Sequence, residues 1–211
     1  MKIPYIADIE HLTVDTLRQK MVSEGALFAV ACNNWAADYP YTPKVVAYLA
    51  HSDSHIALLF AVEESHTKAV ELQDNGRVWE DSCVEFFVKN PTGEGYYNFE
   101  LNAIGTLLAA YRTSRESATH FSAAQLAEIV RYTAFDHAPI DICDQNSWWA
   151  VELIPFSLIG LSAPPAKLDV NLYKCGDKLN RPHFLSWAPI TLDKPNFHCP
   201  EFFGEIIFDN E

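Results

Sequence analysis

Most of the chain breaks into short apolar runs rich in Val, Ile, Phe, Tyr, Trp and Leu, each bounded by Gly, Pro, Asn or Asp. Runs of that length and composition are the pattern of β-strands. They fall at 26–32, 44–51, 55–63, 83–89, 96–102, 105–112, 129–134, 147–154, 168–175, 184–188 and 203–208. Helical spacing is confined to two places. One is 13–22, opened by Thr13, ended before Gly25, with Leu17 and Met21 on one face. The other is 123–128, where Ser122 and Gln125 have capping-box spacing. The segment Pro155–Gly160 reads as a single turn stopped by glycine. Many strands and few helices predict an all-β fold, and so many short strands favour two packed antiparallel sheets: a β-sandwich of immunoglobulin-like or jelly-roll-like kind, with one or two short helices. No repeat, low-complexity tract or linker interrupts the pattern, so one domain over 1–211 is expected.

Alternation then assigns faces, because successive strand side chains point to opposite sides. In 83–89, Val84, Phe86 and Val88 form the apolar row and Glu85 lies opposite with Cys83 and Phe87. In 96–102 the core row is Tyr97, Phe99 and Leu101; Tyr96, Asn98, Glu100 and Asn102 face away. In 168–175, Val170 and Leu172 point inward while Asp169, Asn171 and Tyr173 point outward. Three strands thus repeat one design. Amides and acids are poor strand formers, so Asn98, Asn102 and Asn171 suggest a ligand face; a merely solvated face is the competing reading. In 147–154 the alternation gives Trp149, Val151 and Leu153 as the apolar row, leaving Glu152 to share the polar face.

Charge narrows the ligand. Fifteen Lys and Arg stand against 28 Asp and Glu, a net −13, which repels phosphate backbones and anionic membranes. Neither nucleic acid nor membrane is an expected partner, whereas neutral ligands are untouched by the argument. The chain is also rich in aromatics, including five Trp, and flat rings suit the apolar C–H face of a sugar. Trp79 stands in the turn before the Glu85 strand, Trp187 at a strand end beside Pro189, and Trp35 in a loop, where packing beneath that loop is an equal reading. The N-terminus shows no apolar run of signal length before Asp8 and Glu10, and the longest apolar stretch, 56–62, is far short of a span. A soluble, cytoplasmic protein is expected, or a periplasmic or extracellular one if the natural chain was trimmed. Five cysteines are odd in number, widely spaced and without C-x-x-C, so buried thiols are expected rather than disulfides or zinc. His51 and His55 flank a hairpin turn and would share a face only on a helix.

The blocks Val78–Val88 (VWEDSCVEFFV) and Tyr97–Thr106 (YNFELNAIGT), followed by WAVELIPF at 149–156, VNLYKC at 170–175, SWAP at 186–189 and PNFHCPEFFG at 195–204, resemble a carbohydrate-binding module of family nine. The resemblance is nearest to its stand-alone bacterial members. It implies a sandwich of two antiparallel sheets that binds glucose- or xylose-type saccharides or chain ends, with a role in polysaccharide utilisation. By resemblance two tryptophans hold the sugar ring, falling on Trp79 and Trp187. Glu85, Asn98 and Glu100 fall on hydroxyl-binding positions, and Arg112 is the nearest basic candidate. A structural calcium is allowed by resemblance, although no Asp-rich loop singles out a site. No catalytic residue and no metal ligand is assigned, and the oligomeric state is left open.

Two other functions compete. Glu85, Glu100 and Glu152 all lie in strands and could supply a glycosidase carboxylate pair, whose spacing the sequence does not give. Serine-hydrolase and nucleotide signatures are absent. A protein-interaction sandwich would instead expose an apolar patch.

Overall fold

In the computed structural model, the three strands that share one polar-outward design become neighbours in one sheet. Residues 1–143 and 147–209 are described, the side chains of Ile142 and Cys143 excepted. In chain order the elements are β1 (Lys2–Ile3), α1 (Val14–Glu24), β2 (Ala26–Ala29), β3 (Lys44–His51), β4 (His55–Glu63), β5 (Thr67–Ala69), β6 (Cys83–Lys89), β7 (Tyr96–Asn102) and β8 (Leu107–Arg112). They continue with β9 (Ala118–His120), α2 (Ala123–Glu128), β10 (Val130–Thr133), β11 (Ile140–Cys143), β12 (Ser147–Pro155), β13 (Lys167–Cys175), β14 (Phe184–Ser186) and β15 (Gly204–Phe208). The larger sheet runs β1-β15-β13-β6-β7-β8-β9, with β14 also on β13. The second runs β10-β12-β4-β3-β2, and β11 pairs with β5 apart from both. Every described pairing between strands is antiparallel except β1 with β15. The sequence-expected β-sandwich is the fold.

The inner faces close on one core. Val84, Phe86, Val88, Phe99, Leu101, Val170 and Leu172 of the larger sheet meet Val45, Ala47, Leu49, Ile56, Leu58 and Phe60 of the second. In β6, β7 and β13 these belong to the rows that alternation assigned to the core. The outer faces are covered as well, which single-face alternation does not anticipate. On the second sheet α1 lays Leu17 and Met21 over Ala57, Leu59, Val151 and Leu153, with Trp149 at the margin. On the larger sheet Cys83, Phe87, Tyr96, Leu108, Tyr173 and Cys175 are roofed by Trp35, Val78, Ile190, Phe197 and Cys199. The roof removes the solvated-face reading: Glu85, Asn98, Glu100, Asn102 and Asn171 are all buried.

Double coverage also reverses one assignment. In β12 it is Trp148, Ala150 and Ile154 that face the core between the sheets, while Trp149, Val151 and Leu153 face α1. Glu152 therefore points between the sheets and lies apart from Glu85 and Glu100. With apolar groups on both sides of the strand, period two carries no sign.

Local chemistry sets the edges. The expected strand at 105–112 starts only at Leu107, because Gly105 takes φ +89° and Asn102 Oδ1 accepts from Thr106 N at 2.8 Å, closing a turn. Thr13 caps α1, which runs two residues beyond the expected end. Ser122 and Gln125 form the capping box: Ser122 Oγ accepts from Gln125 N at 3.3 Å and Gln125 Oε1 from Ser122 N at 3.0 Å. Ser122→Ala is expected to cost about 1 kcal/mol, read as a shift in urea midpoint. His51 and His55 do flank the β3–β4 turn; His51 bridges the carbonyls of Ser52 and Asp209 and His55 meets Ser54 Oγ at 2.7 Å.

Candidate functional site

The register of four strands builds the floor of a cleft. Glu85 on β6 stands directly opposite Glu100 on β7, and Tyr173 on β13 flanks Glu85 from the other side. Two residues from Glu100 on the same face, Asn98 donates through Nδ2 to Glu100 Oε1 at 2.9 Å. Asn98 Oδ1 in turn accepts from Arg112 Nε at 2.9 Å, and Arg112 Nη1 donates to Arg115 O at 2.6 Å. A polar relay thus runs Arg112–Asn98–Glu100 across the end of β8 and β7. On the other flank Cys175 Sγ donates to Glu85 Oε1 at 3.0 Å.

Two carboxyls facing each other out of water cannot both stay ionised cheaply. Burial, then the charge of Glu100, holds Glu85 well above the usual carboxylate range. Burial also lifts Glu100, to about 7, against the opposing pull of Arg112 and the Asn98 hydrogen bond. Because the pair resists joint ionisation, a proton held there lets the floor donate as well as accept beside a guanidinium.

Aromatic walls stand on this floor. Trp79 comes from the 3-10 turn Val78–Glu80 and is fixed by its carbonyl, which accepts from Asp177 N at 3.1 Å and from Cys175 Sγ at 3.6 Å. Across from β13, Phe197 stacks on Tyr173 with centroids 4.1 Å apart at 8°, and Tyr39 meets Phe184 edge-on at 4.8 Å. The 194–198 segment is tied down by Tyr173 Oη donating to Phe197 O at 3.1 Å and by Tyr96 Oη lying 3.0 Å from His198 Nδ1. Burial pulls His198 down to about 3, so it is neutral near pH 7. Arg115, Asp177, Lys194, Pro195 and Asn196 complete the lining, and the volume of the cleft is about 590 Å³. That lies within the range of small-molecule clefts.

Trp79, Glu85, Glu100 and Arg112 meet in this one cleft. Asn98 sits beneath it, fully buried, with both ends of its amide engaged, so it positions Glu100 and Arg112 rather than facing the cavity. Trp187 is not brought here. β14 lays Ser186 opposite Tyr173, and the next residue continues that ladder, with Trp187 N donating to Leu172 O at 2.9 Å. Alternation turns its ring inward, onto Phe28 (5.0 Å, 73°) and over Gly204, where a Cβ would lie 2.7 Å from the indole. By the same register Phe184, opposite Cys175, faces the cleft. Phe184, Tyr39 and Phe197 are the aromatics that sequence reasoning missed. Only the β13–β14 register could have found the first, and the loop positions of the others carry no periodic signal. Trp35 is buried, its Nε1 donating to Leu192 O at 2.7 Å, as packing beneath a loop requires.

The carboxyls have a further property that bears on chemistry. Glycosidase acids flank a scissile bond from either side. Glu85 and Glu100 come from adjacent strands of one sheet and lie together on one floor, while Glu152 belongs to the other sheet. Among the described residues, Cys83, Glu85 and Cys175 are the one group of three His, Cys, Asp or Glu residues whose ligand atoms lie close enough to share an ion.

The sequence profile of carbohydrate-binding family 9 matches residues 15–208. The chain belongs to carbohydrate-binding family 9. Family membership carries carbohydrate binding without catalysis, in accord with the one-sided floor. The chain is similar to a candidate carbohydrate-binding protein from Bacteroides uniformis ATCC 8492, at 35% identity and a TM-score of 0.91 over 99% of this chain and 98% of that one. Two structures of a family 9 module from Caldicellulosiruptor kristjanssonii share the fold at 11% identity. The glucose complex gives a TM-score of 0.64 over 100% of this chain and 96% of that one. The cellotriose complex gives 0.60 over 100% and 95%. Among curated proteins none matches the chain.

Proposed function

We propose that the cleft binds a glucose- or xylose-type saccharide, as a short sugar or a chain end, with its C–H face against Trp79 and its hydroxyls on Glu85, Glu100 and Arg112. The observation that carries this reading is the opposed carboxyl pair joined to a guanidinium relay beneath an aromatic wall. Vicinal hydroxyls each donate and accept, so they need acceptors and donors side by side. The Glu85–Glu100 pair and Arg112 supply both without presenting net charge of one sign to a neutral ligand. Binding of glucose and of cellotriose by family 9 modules of the same fold supports the choice of sugar.

Calorimetric titration against glucose, xylose, cellobiose and xylobiose is the test. Binding to at least one is expected, and Trp79→Ala should weaken it on the order of tenfold or more, the loss that follows removal of a buried aromatic contact. Undiminished binding in Trp79→Ala removes that wall from the site. Release of reducing ends from an oligosaccharide, abolished in Glu85→Gln, would replace binding with hydrolysis.

A further inference from the structure

We propose that Cys83, Glu85 and Cys175 form a binding site for a thiophilic divalent cation, of the zinc class, in the floor of the cleft. The site goes beyond saccharide binding; it shares Glu85 with the proposed sugar contacts, and Cys175 also lines the cleft. The three ligand atoms lie within 4.8 Å of one another, and all three residues are buried. The strands dictate this gathering. Cys83 and Cys175 are direct partners in the β6–β13 register, and Glu85 is two residues from Cys83 on the same face of β6. Cys175 Sγ already approaches Glu85 Oε1 to 3.0 Å. Two ligands on one tetrahedral zinc stand roughly 3–4 Å apart, given Zn–S near 2.3 Å and Zn–O near 2.0 Å. The three ligand atoms thus lie at, or within about an ångström of, the separations that one ion imposes.

The donor set selects the metal class. Two sulfurs and a carboxylate suit zinc and its soft neighbours, and are poor ligands for calcium or magnesium. Neither thiol is held in a disulfide. Glu85 and Cys175 line the cleft, so an ion has a way in and a fourth position open toward the cavity. Binding is written as M²⁺ plus two thiols and the Glu85 carboxyl giving the bound ion, with the displaced protons going to solvent; no redox change is involved.

The experiment uses the full chain, reduced with a phosphine, stripped with a chelator and titrated with CoCl₂ and then ZnCl₂ in the absence of sugar. One equivalent of Co²⁺ should give thiolate-to-cobalt charge-transfer absorption and the intense d–d bands of tetrahedral cobalt, both erased by one equivalent of Zn²⁺. The bands should vanish in Cys83→Ser and in Cys175→Ser. Glu85→Gln should weaken Zn²⁺ binding at least tenfold. A Cys32→Ser/Cys143→Ser double variant should keep the bands. Absence of thiolate bands in the wild type overturns the site, as does their persistence in either single serine variant. If a serine variant does not fold, the wild-type spectrum and the double variant decide: bands lost in the double variant overturn the site, and bands kept there support it. Because no sugar is present, failure here leaves the saccharide reading standing, and absence of sugar binding leaves the metal result intact.

Discussion

Lys174→Met is expected to lower the stability of the fold by about 3–5 kcal/mol, the largest loss foreseen for a single side chain here. Lys174 lies on β13 next to Tyr173 and Cys175 but on the opposite face, so its side chain enters the core between the sheets, where it has no exposure. Its ammonium makes one ion pair and two hydrogen bonds. Nζ lies 2.9 Å from Glu64 Oε2, and donates to Cys175 O at 2.8 Å and to His183 Nε2 at 2.8 Å. Glu64 is anchored independently by Trp148 Nε1, which donates to Oε1 at 2.7 Å. Burial and the adjacent ammonium press His183 down to about 2, so the ring is neutral, accepts at Nε2 and donates through Nδ1 to Arg181 O at 2.9 Å. Removing the lysine leaves a carboxylate in the core with no cation, and the cost is that orphaned charge more than the lost attraction. Urea unfolding at pH 7 measures it. The pairwise origin is checked by Lys174→Met/Glu64→Leu, which should recover most of the loss; a double variant no better than the single one would place the cost in packing instead. The network also reaches the cleft. His183 precedes Phe184, so Lys174→Met should loosen the Phe184–Tyr39 wall and weaken saccharide binding by more than its remote position suggests.

The same lysine shows how far the sequence could be read. Alternation in 168–175 places Lys174 on the side of Val170 and Leu172, and a cation on a core row is a visible anomaly whose partner is not visible. Glu64 is too far along the chain to be matched without the sheet order. Glu85, Asn98 and Glu100 were legible because β6 and β7 each bury one plainly apolar row, so the remaining side chains had one place to go. What alternation could not show was the roof over that second face, since Trp35, Ile190 and Phe197 arrive from loops with no period. β12 failed for the complementary reason: with α1 on one side and the core on the other, both of its rows are apolar. Trp187 failed because its facing depends on a three-residue strand whose register with β13 leaves no trace in composition. Cys83 and Cys175 meet through the same kind of register, which is why cysteine spacing gave no hint of the cluster.

Glu152→Leu is expected to stabilise the protein, by an amount that grows with pH. Glu152 has no exposure, and neither carboxyl oxygen has a hydrogen-bond partner among the described residues. Its cross-strand neighbours are Leu58 and Arg131. Arg131 is the nearest help, but its guanidinium is held in a fork by Asp74, at 2.7 and 2.6 Å. Desolvation therefore dominates and lifts Glu152 to about 8, from an ordinary value of 4.5. The folded protein keeps the proton while the unfolded chain has lost it, so ionisation favours unfolding as pH rises. This contribution to stability is whole below pH 4.5, erodes by about 1.4 kcal/mol per pH unit above it, and levels off past pH 8. The full span is about 4–5 kcal/mol, and Leu, similar in volume and apolar, removes it. Glu85 and Glu100 titrate in both proteins, so the difference between wild type and Glu152→Leu isolates this group. Urea midpoints at pH 5, 6.5 and 8 should diverge steadily, with the variant ahead; parallel curves would mean that Glu152 is ionised in the fold and has found a counter-charge. Glucose titration of the same variant at pH 7 should match the wild type, because Glu152 belongs to the sheet that does not floor the cleft.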